Sequence, residues 1–313
     1  MTDRMKIFSG SSNQELSQRI AEYLGIKLSN IELRRFSDGE ISVKIMENVR
    51  EVDVFIIQST CYPGNDHIIE LLLMIDAAYR ASARRITAVI PYFAYARQDR
   101  KVEPRVPISS KVISNIIQTT GANRVLTMDL HADQIQGFFD IPVDNLFGSA
   151  IAIDYFKEMN DDEKVVVSPD AGGVDRARFF AKRLKAGLAI IDKRREQANV
   201  SEVMHVIGDV DGKSCILVDD MIDTGGSISG AARALKDNGA NRVYCYATHG
   251  ILSGKAYEKL REAPFEEIVL TDTIPVDKIK QLSNMHILSV SKLFGEAIRR
   301  IHNGESVSSL FVQ

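Results

Sequence analysis

The densest chemistry in the 313-residue chain lies between Cys215 and Ser227. An apolar run, Cys215-Ile216-Leu217-Val218, leads into two acids, Asp219 and Asp220, and then into Asp223-Thr224-Gly225-Gly226-Ser227. Glycines let the backbone approach an anion closely and turn its N–H groups toward one point. Thr224 and Ser227 add hydroxyl donors, and a helix starting here would favour a negative charge at its N-terminus. Two carboxylates at a strand tip can accept hydrogen bonds from vicinal sugar hydroxyls. The run therefore points to a phosphorylated sugar. The plainer reading, an acidic strand end with an N-capping serine, does not call for so many polar and glycine residues in a row. No G-x-x-x-x-G-K-[ST] occurs, so this is not a P-loop.

Other residues could act on phosphate or nucleotide. Lys193-Arg194-Arg195 follows the apolar run Leu188 to Ile191. In an extended chain Lys193 and Arg195 point the same way and could clamp phosphate charge, with the polar stretch Glu196 to Asn199 able to close as a lid. A charge run is otherwise an ordinary solvated face. Arg97 can fork onto a phosphate and Gln98 can hold a base or ribose, although a surface salt bridge explains the arginine equally well. Phe36, with Asp38, Gly39 and Glu40, marks a tip where the ring can stack on a purine and an acid can accept from its amine. A simple Asp-Gly turn also fits. Asp129 and His131, two apart at a strand end, are expected on one face. Asp170 precedes Gly172-Gly173, where a carboxylate can reach a hydrated cation or merely cap a helix.

The elements that would carry these residues follow from the hydrophobic pattern. Short apolar runs without alternation, at 54–57, 86–90, 125–128, 165–167, 188–191, 215–218, 243–247 and 268–270, read as parallel strands covered on both faces. Helix patterns intervene: Leu16, Ile20, Tyr23 and Leu24 share a face, as do Ile228, Ala231, Ala232 and Leu235. Ile31 to Phe36 and the alternating Ile41, Val43 and Ile45 read as a hairpin. The fold class is α/β. Gly121-Ala122-Asn123-Arg124-Val125 recurs as Gly239-Ala240-Asn241-Arg242-Val243, each copy followed by a histidine, His131 or His249. That repeat predicts two related domains, 1–147 and 148–313, joined without a low-complexity linker and packed tightly. His249 reads as structural.

Composition narrows the classes. Hydrophobic residues make up 45% and charged residues 26%, as in globular proteins. Lys plus Arg is 39 against 42 Asp plus Glu, a net charge of −3, so the global basic field of a nucleic-acid binder is absent. Cys61, Cys215 and Cys245 form no metal or disulfide spacing. No signal-like N-terminus and no membrane-length apolar stretch is seen, and a cytoplasmic protein is expected.

Beyond the acid–glycine loop, which resembles that of phosphoribosyltransferase-type folds, several long motifs resemble ribose-phosphate diphosphokinases. They are Arg35 to Glu40, Tyr95 to Arg100, Asp129 to Phe139, Ser168 to Gly173 and Asp192 to Arg195, and the match spans essentially the whole chain. The resemblance implies two tandem phosphoribosyltransferase-like domains, each a mostly parallel sheet flanked by helices. It implies transfer of a diphosphoryl group from ATP to the anomeric hydroxyl of ribose 5-phosphate, with Mg2+. Carried onto this sequence, Lys193 and Arg195 are catalytic. Phe36, Asp38, Gly39, Glu40, Arg97, Gln98 and His131 bind ATP. Arg195, Asp219, Asp220, Asp223, Thr224, Gly225, Gly226 and Ser227 bind ribose 5-phosphate. His131 and Asp170 serve the metal, although imidazole is an unusual magnesium ligand. The resemblance further implies that the Phe36 hairpin reaches a neighbouring subunit in a homo-oligomer, typically a hexamer. It also implies a phosphate or ADP regulatory site involving Arg50, Asn145, Ser308, Ser309 and Phe311. Two departures stand out. Ser227 keeps the hydroxyl where many relatives have Thr, and the segment Arg100 to Arg105 carries Glu103 and looks one residue short, which bears on regulation more than on catalysis. A phosphoribosyltransferase would need only one such domain and no ATP groups. A non-catalytic regulatory subunit should have lost Asp170, Asp129-Leu130-His131 or the basic loop. No residue stands out as the base for the anomeric hydroxyl.

Overall fold

The computed structural model describes residues 5–159, 163–194 and 203–310. Arg195, the stretch Glu196 to Asn199 and Phe311 lie outside them, and nothing is described of the Lys193 side chain.

The chain runs twice through one series of elements. The first pass is β1 (Met5–Ser9), α1 (Gln14–Leu24), the hairpin β2 (Ile31–Arg35) and β3 (Ile41–Ile45), β4 (Asp53–Ile57), α2 (Gly64–Arg80), β5 (Arg85–Ile90), α3 (Ser109–Thr119), β6 (Arg124–Met128), β7 (Val143–Leu146) and α4 (Ser149–Lys157). The second is β8 (Lys164–Ser168), α5 (Val174–Leu184), the hairpin β9 (Gly187–Arg194) and β10 (Val203–Ile207), β11 (Ser214–Ile222), α6 (Gly226–Asp237), β12 (Arg242–Gly250), α7 (Ala256–Glu262), β13 (Glu267–Thr271), β14 (Met285–Leu288) and α8 (Ser291–Asn303).

The sheets repeat in the same way. One has the order β1-β4-β5-β6-β7, the other β10-β9-β8-β11-β12-β13-β14. Within the five-stranded sheet all pairs are parallel. In the seven-stranded sheet only β9–β10 is antiparallel. The α/β reading with two mostly parallel sheets thus describes the architecture.

Two expectations change. The Gly121 and Gly239 pentapeptides precede β6 and β12, but strand order matches β6 with β13 and β5 with β12. That pentapeptide repeat is one β–α unit out of step with the structural duplication. A glycine ending a helix before an edge-in strand is a generic solution, so both copies arise at any such junction. Second, residues 148–313 are not one continuous body. Among the described residues, one compact unit takes those up to Phe147, Thr273–Pro275 and those from Ser289 on, and the other those from Gly148 to Asp272 and from Val276 to Leu288. The two passes exchange their last helices. Helix α8 packs on α1, and α4 packs on α5. The reason is amphipathicity: α8 buries Phe294, Ala297, Ile298 and Ile301 along one face. Its end is tied down by His302, whose Nδ1 lies 2.8 Å from Asp53 Oδ2, and by Arg85 Nη2, which donates to Asp53 at 2.6 Å and to the Ile301 carbonyl at 2.9 Å.

Strands of the second unit are apolar throughout because both faces are covered. Val165, Val167, Cys215, Leu217, Val243 and Cys245 face one cluster with α6 and α7. Val166, Ile216, Val218, Tyr244 and Tyr246 face another with α4 and α5. The odd–even split along adjacent strands is the two-residue period of a pleated sheet. Strands β1, β7, β10 and β14 have no counterpart among the expected runs; they are short and carry Lys6, Asp144, Asn145, His205 and His286. All three cysteines are buried and unpaired.

Candidate functional site

In the second unit the carboxyl ends of β8 and β11 carry the groups. Strand β11 runs through Asp219 and Asp220 to Ile222, so the acids belong to the sheet rather than to a loop. Asp220 is buried and Asp219 half-buried. Asp219 Oδ1 accepts the Asp220 N–H at 2.9 Å. One guanidinium nitrogen of Arg176, on α5, stands 3.3 Å from Asp219 Oδ1 and 3.6 Å from Asp220 Oδ1. A single cation therefore serves two carboxylates. Burial, and then the charge of Asp220, push the Asp219 carboxyl above the ordinary carboxylate range, with Arg176 opposing. The sequence does not single out Arg176: it is one of several basic residues in an amphipathic helix, and nothing in its spacing marks it.

Beyond the acids the chain turns. Ser253 Oγ donates to Asp223 Oδ1 at 2.5 Å, and the Ser253 N–H donates to the Asp223 carbonyl. Gly225 has φ +72°, the left-handed region that glycine adopts without strain, and Gly226 opens α6. No side chain caps this helix. The capping-serine reading of Ser227 therefore fails, and the first N–H groups of α6 remain available to an anion. Thr224 and Ser227 are exposed at the same end.

Asp170 sits on the turn between β8 and α5. Its Oδ1 accepts the N–H groups of Gly172 at 2.9 Å and Gly173 at 3.0 Å. The helix-cap reading does not hold, since Gly173 is the N-cap of α5 and no side chain caps it; Asp170 instead braces the turn before the helix, and its second oxygen has no hydrogen-bond partner among the described residues. Lys193 lies in β9 opposite Met204, near the end of the β9–β10 hairpin.

In the first unit the candidates sit at the corresponding places. The β2–β3 hairpin, the positional counterpart of β9–β10, ends in Phe36 to Glu40. The Phe36 N–H donates to the Glu40 carbonyl, and Asp38 Oδ1 accepts the Glu40 N–H at 3.1 Å. The Phe36 ring is 60% exposed, large for an aromatic. Arg97 and Gln98 are exposed on a turn beyond β5, after Tyr95 at φ +62°. The Gln98 carbonyl oxygen Oε1 accepts from Ser109 Oγ at the start of α3.

His131 is exposed just beyond β6. The shared-face expectation for Asp129 and His131 does not hold, because β6 ends at Met128 and Asp129 takes φ +40°. Strand alternation stops there. Leu130 is buried, and its N–H donates to Asn145 Oδ1 at 3.2 Å. Asn145 is itself 2% exposed. It braces the His131 segment from within. Arg50, Ser308 and Ser309 are exposed.

The first unit also has a strand end equivalent to the two acids. If β1 and β4 are superposed in register on β8 and β11, Gln58 takes the place of Asp219 and Ser59 that of Asp220. Gln58 is fully buried, accepts from Ser12 and donates to Glu70 at 2.6 Å. A Cβ on Gly10 would meet Gln58 Oε1 at 2.3 Å. Where β11 ends in two acids, β4 is therefore followed by a buried glutamine and a serine.

Comparisons with known proteins agree on one family. Residues 5–121 match the N-terminal domain of ribose phosphate pyrophosphokinase, and residues 195–312 match the phosphoribosyl synthetase-associated domain. The chain is 58% identical to a ribose-phosphate pyrophosphokinase of Caldanaerobacter subterraneus, over 99% of this chain and 98% of that protein. It is 57% identical to one of Campylobacter jejuni over 98% and 99%. The crystal structure of a phosphoribosylpyrophosphate synthetase from Mycobacterium smegmatis superposes with a TM-score of 0.92 at 42% identity, covering 96% of this chain and 99% of that one. With two phosphoribosyltransferase-like units, an acidic strand tip and an open helix start in the second, the chain belongs to the ribose-phosphate pyrophosphokinase family.

Proposed function

We propose that this protein transfers the diphosphoryl group of ATP to the anomeric hydroxyl of ribose 5-phosphate, yielding 5-phosphoribosyl 1-diphosphate and AMP. The observation that carries the reading is the second unit's Asp219–Asp220 pair, held by Arg176 and followed by the uncapped start of α6, in a chain of this family. The acids accept from the ribose 2- and 3-hydroxyls, and Asp223 to Ser227 hold the 5-phosphate. The anomeric oxygen attacks the β-phosphorus, the bond from that phosphorus to the AMP oxygen breaks, and the hydroxyl proton leaves the sugar.

Such a transfer depends on positioning and charge neutralisation more than on covalent catalysis. Lys193 and Arg195 are the groups assigned to the β- and γ-phosphate oxygens. Arg97 and His131 take the nucleotide phosphates, Gln98 the nucleoside, and Phe36 with Asp38, Gly39 and Glu40 the adenine. The exposed Phe36 ring supports a hairpin that works in a neighbouring copy, hence a homo-oligomer, a hexamer in this reading, with phosphate or ADP acting through Arg50, Ser308, Ser309 and Phe311.

Mg2+ fits the residues present. The ion keeps several waters and is held by one or two carboxylates together with substrate phosphates. A preformed cluster of three protein ligands is not required, and among the described residues there is none. Asp170 offers one oxygen beyond its turn; His131 acts through water or phosphate. Bound magnesium would neutralise polyphosphate charge. We place the enzyme in the cytoplasm; no described helix is long and apolar enough to cross a membrane.

A phosphorus NMR time course tests the reaction. AMP should appear only when ribose 5-phosphate, ATP and magnesium are all present. Formation of ADP, or AMP without the sugar, would overturn it.

A further inference from the structure

We propose that Lys259, on α7, is a direct ligand of the sugar's 5-phosphate and the residue that makes the site select a phosphorylated pentose. The inference rests on the sugar-phosphate reading of the α6 start and adds a group that the Asp223–Ser227 motif does not contain.

Helix α7 lies against that start. A Cβ on Gly225 would stand 3.4 Å from the Ala256 carbonyl and 3.5 Å from Leu260 Cγ. Ala256 and Leu260 are buried. Lys259 shares their side of the helix, since residues three and four apart are neighbours on one face. Its aliphatic stem therefore runs toward the loop. The ammonium reaches it: a Cβ on Gly226 would meet Lys259 Nζ at 3.4 Å and Thr224 Oγ1 at 3.9 Å. Cation and hydroxyl converge on the residue that opens α6. Ser229 Oγ donates to the Lys259 carbonyl at 3.3 Å and fixes the backbone there.

The electrostatics call for an anion. A helix N-terminus carries a partial positive charge, and cations are favoured at the opposite end. Lys259 is half-buried beside the N-terminus of α6, yet no carboxylate lies within ion-pair distance of its ammonium among the described residues. The ammonium, carried on the last turn of α7, adds a second positive charge beside the start of α6. A phosphate dianion resolves this, accepting from the helix N–H groups, the Thr224 hydroxyl and the ammonium together.

The test is steady-state kinetics on the full chain. Lys259→Met keeps most of the stem and removes the charge. It should raise KM for ribose 5-phosphate about ten-fold or more, as expected for a lost charge-assisted contact, with kcat and the KM for ATP unchanged. Lys259→Arg should stay within about three-fold of the parent. Inorganic sulfate, competing with ribose 5-phosphate, should inhibit Lys259→Met more weakly. The inference is overturned if the sugar KM does not move, or if both substrate KM values and kcat shift together as for a packing defect. Should Lys259→Met fail to fold, Lys259→Gln reads the same comparison. Failure of the wild-type chain to make AMP would instead overturn the reaction assignment, which separates the two outcomes.

Discussion

Asp219→Asn separates the cost of holding two acids together from their use. The amide keeps the shape and the acceptor for the Asp220 N–H, now at 2.9 Å, but removes one of two negative charges that share a guanidinium nitrogen at 3.3 and 3.6 Å. A hydrogen bond to a charged acceptor contributes about 1.5–3 kcal/mol. Losing that charge should therefore raise KM for ribose 5-phosphate about 10- to 150-fold and leave the KM for ATP alone. Stability should change the other way. The folded state raises the Asp219 pKa, through burial first and Asp220 second. A raised carboxyl contributes stability below its unfolded pKa and loses it as pH rises through the folded pKa. The substituted amide cannot titrate, so the variant should melt above the wild type, by a margin that widens as pH rises from about 4 to about 7, where the folded carboxyl titrates. Scanning fluorimetry across that range, with kinetics at one pH, reads both effects. A pH-independent difference in Tm, or a sugar KM within about two-fold of wild type, would refute the reasoning.

Three further perturbations follow. Gly225→Ala places a β-carbon at φ +72°, costing about 1–2 kcal/mol and tilting the loop N–H groups; thermal melts should show the loss and kinetics a weaker ribose 5-phosphate KM. Asp53→Ala leaves Arg85 and His302 without their buried carboxylate, 3% exposed in the parent. It should cost about 3 kcal/mol in denaturant unfolding, with hydrogen exchange speeding up first along α8. Chelation of magnesium should abolish AMP formation, and adding the ion back should restore it, whereas the melting temperature should hardly move, because Asp170 already has its turn hydrogen bonds.

Much was legible in the residues themselves. Parallel strands buried on both faces must be apolar without alternation, so eight of them could be read directly, and the acid–glycine loop stands out because few tasks other than holding a phosphate need those types in that order. The Phe36 hairpin was equally plain from its alternation. Tertiary structure decided what depends on partners distant in sequence. Strands such as β1 and β14 exist because a neighbouring strand supplies their hydrogen bonds, not because their own residues demand it. Arg176 and Lys259 look like ordinary surface cations until folding sets one against two carboxylates and the other at a helix start. Asn145 reads as one more polar residue until burial shows it bracing Leu130. The pentapeptide repeat points to duplication but misaligns it, since a helix-ending glycine reports only a local junction. The exchange of α4 and α8 was likewise invisible, because an amphipathic helix states that one face must be buried and leaves the fold to choose against what.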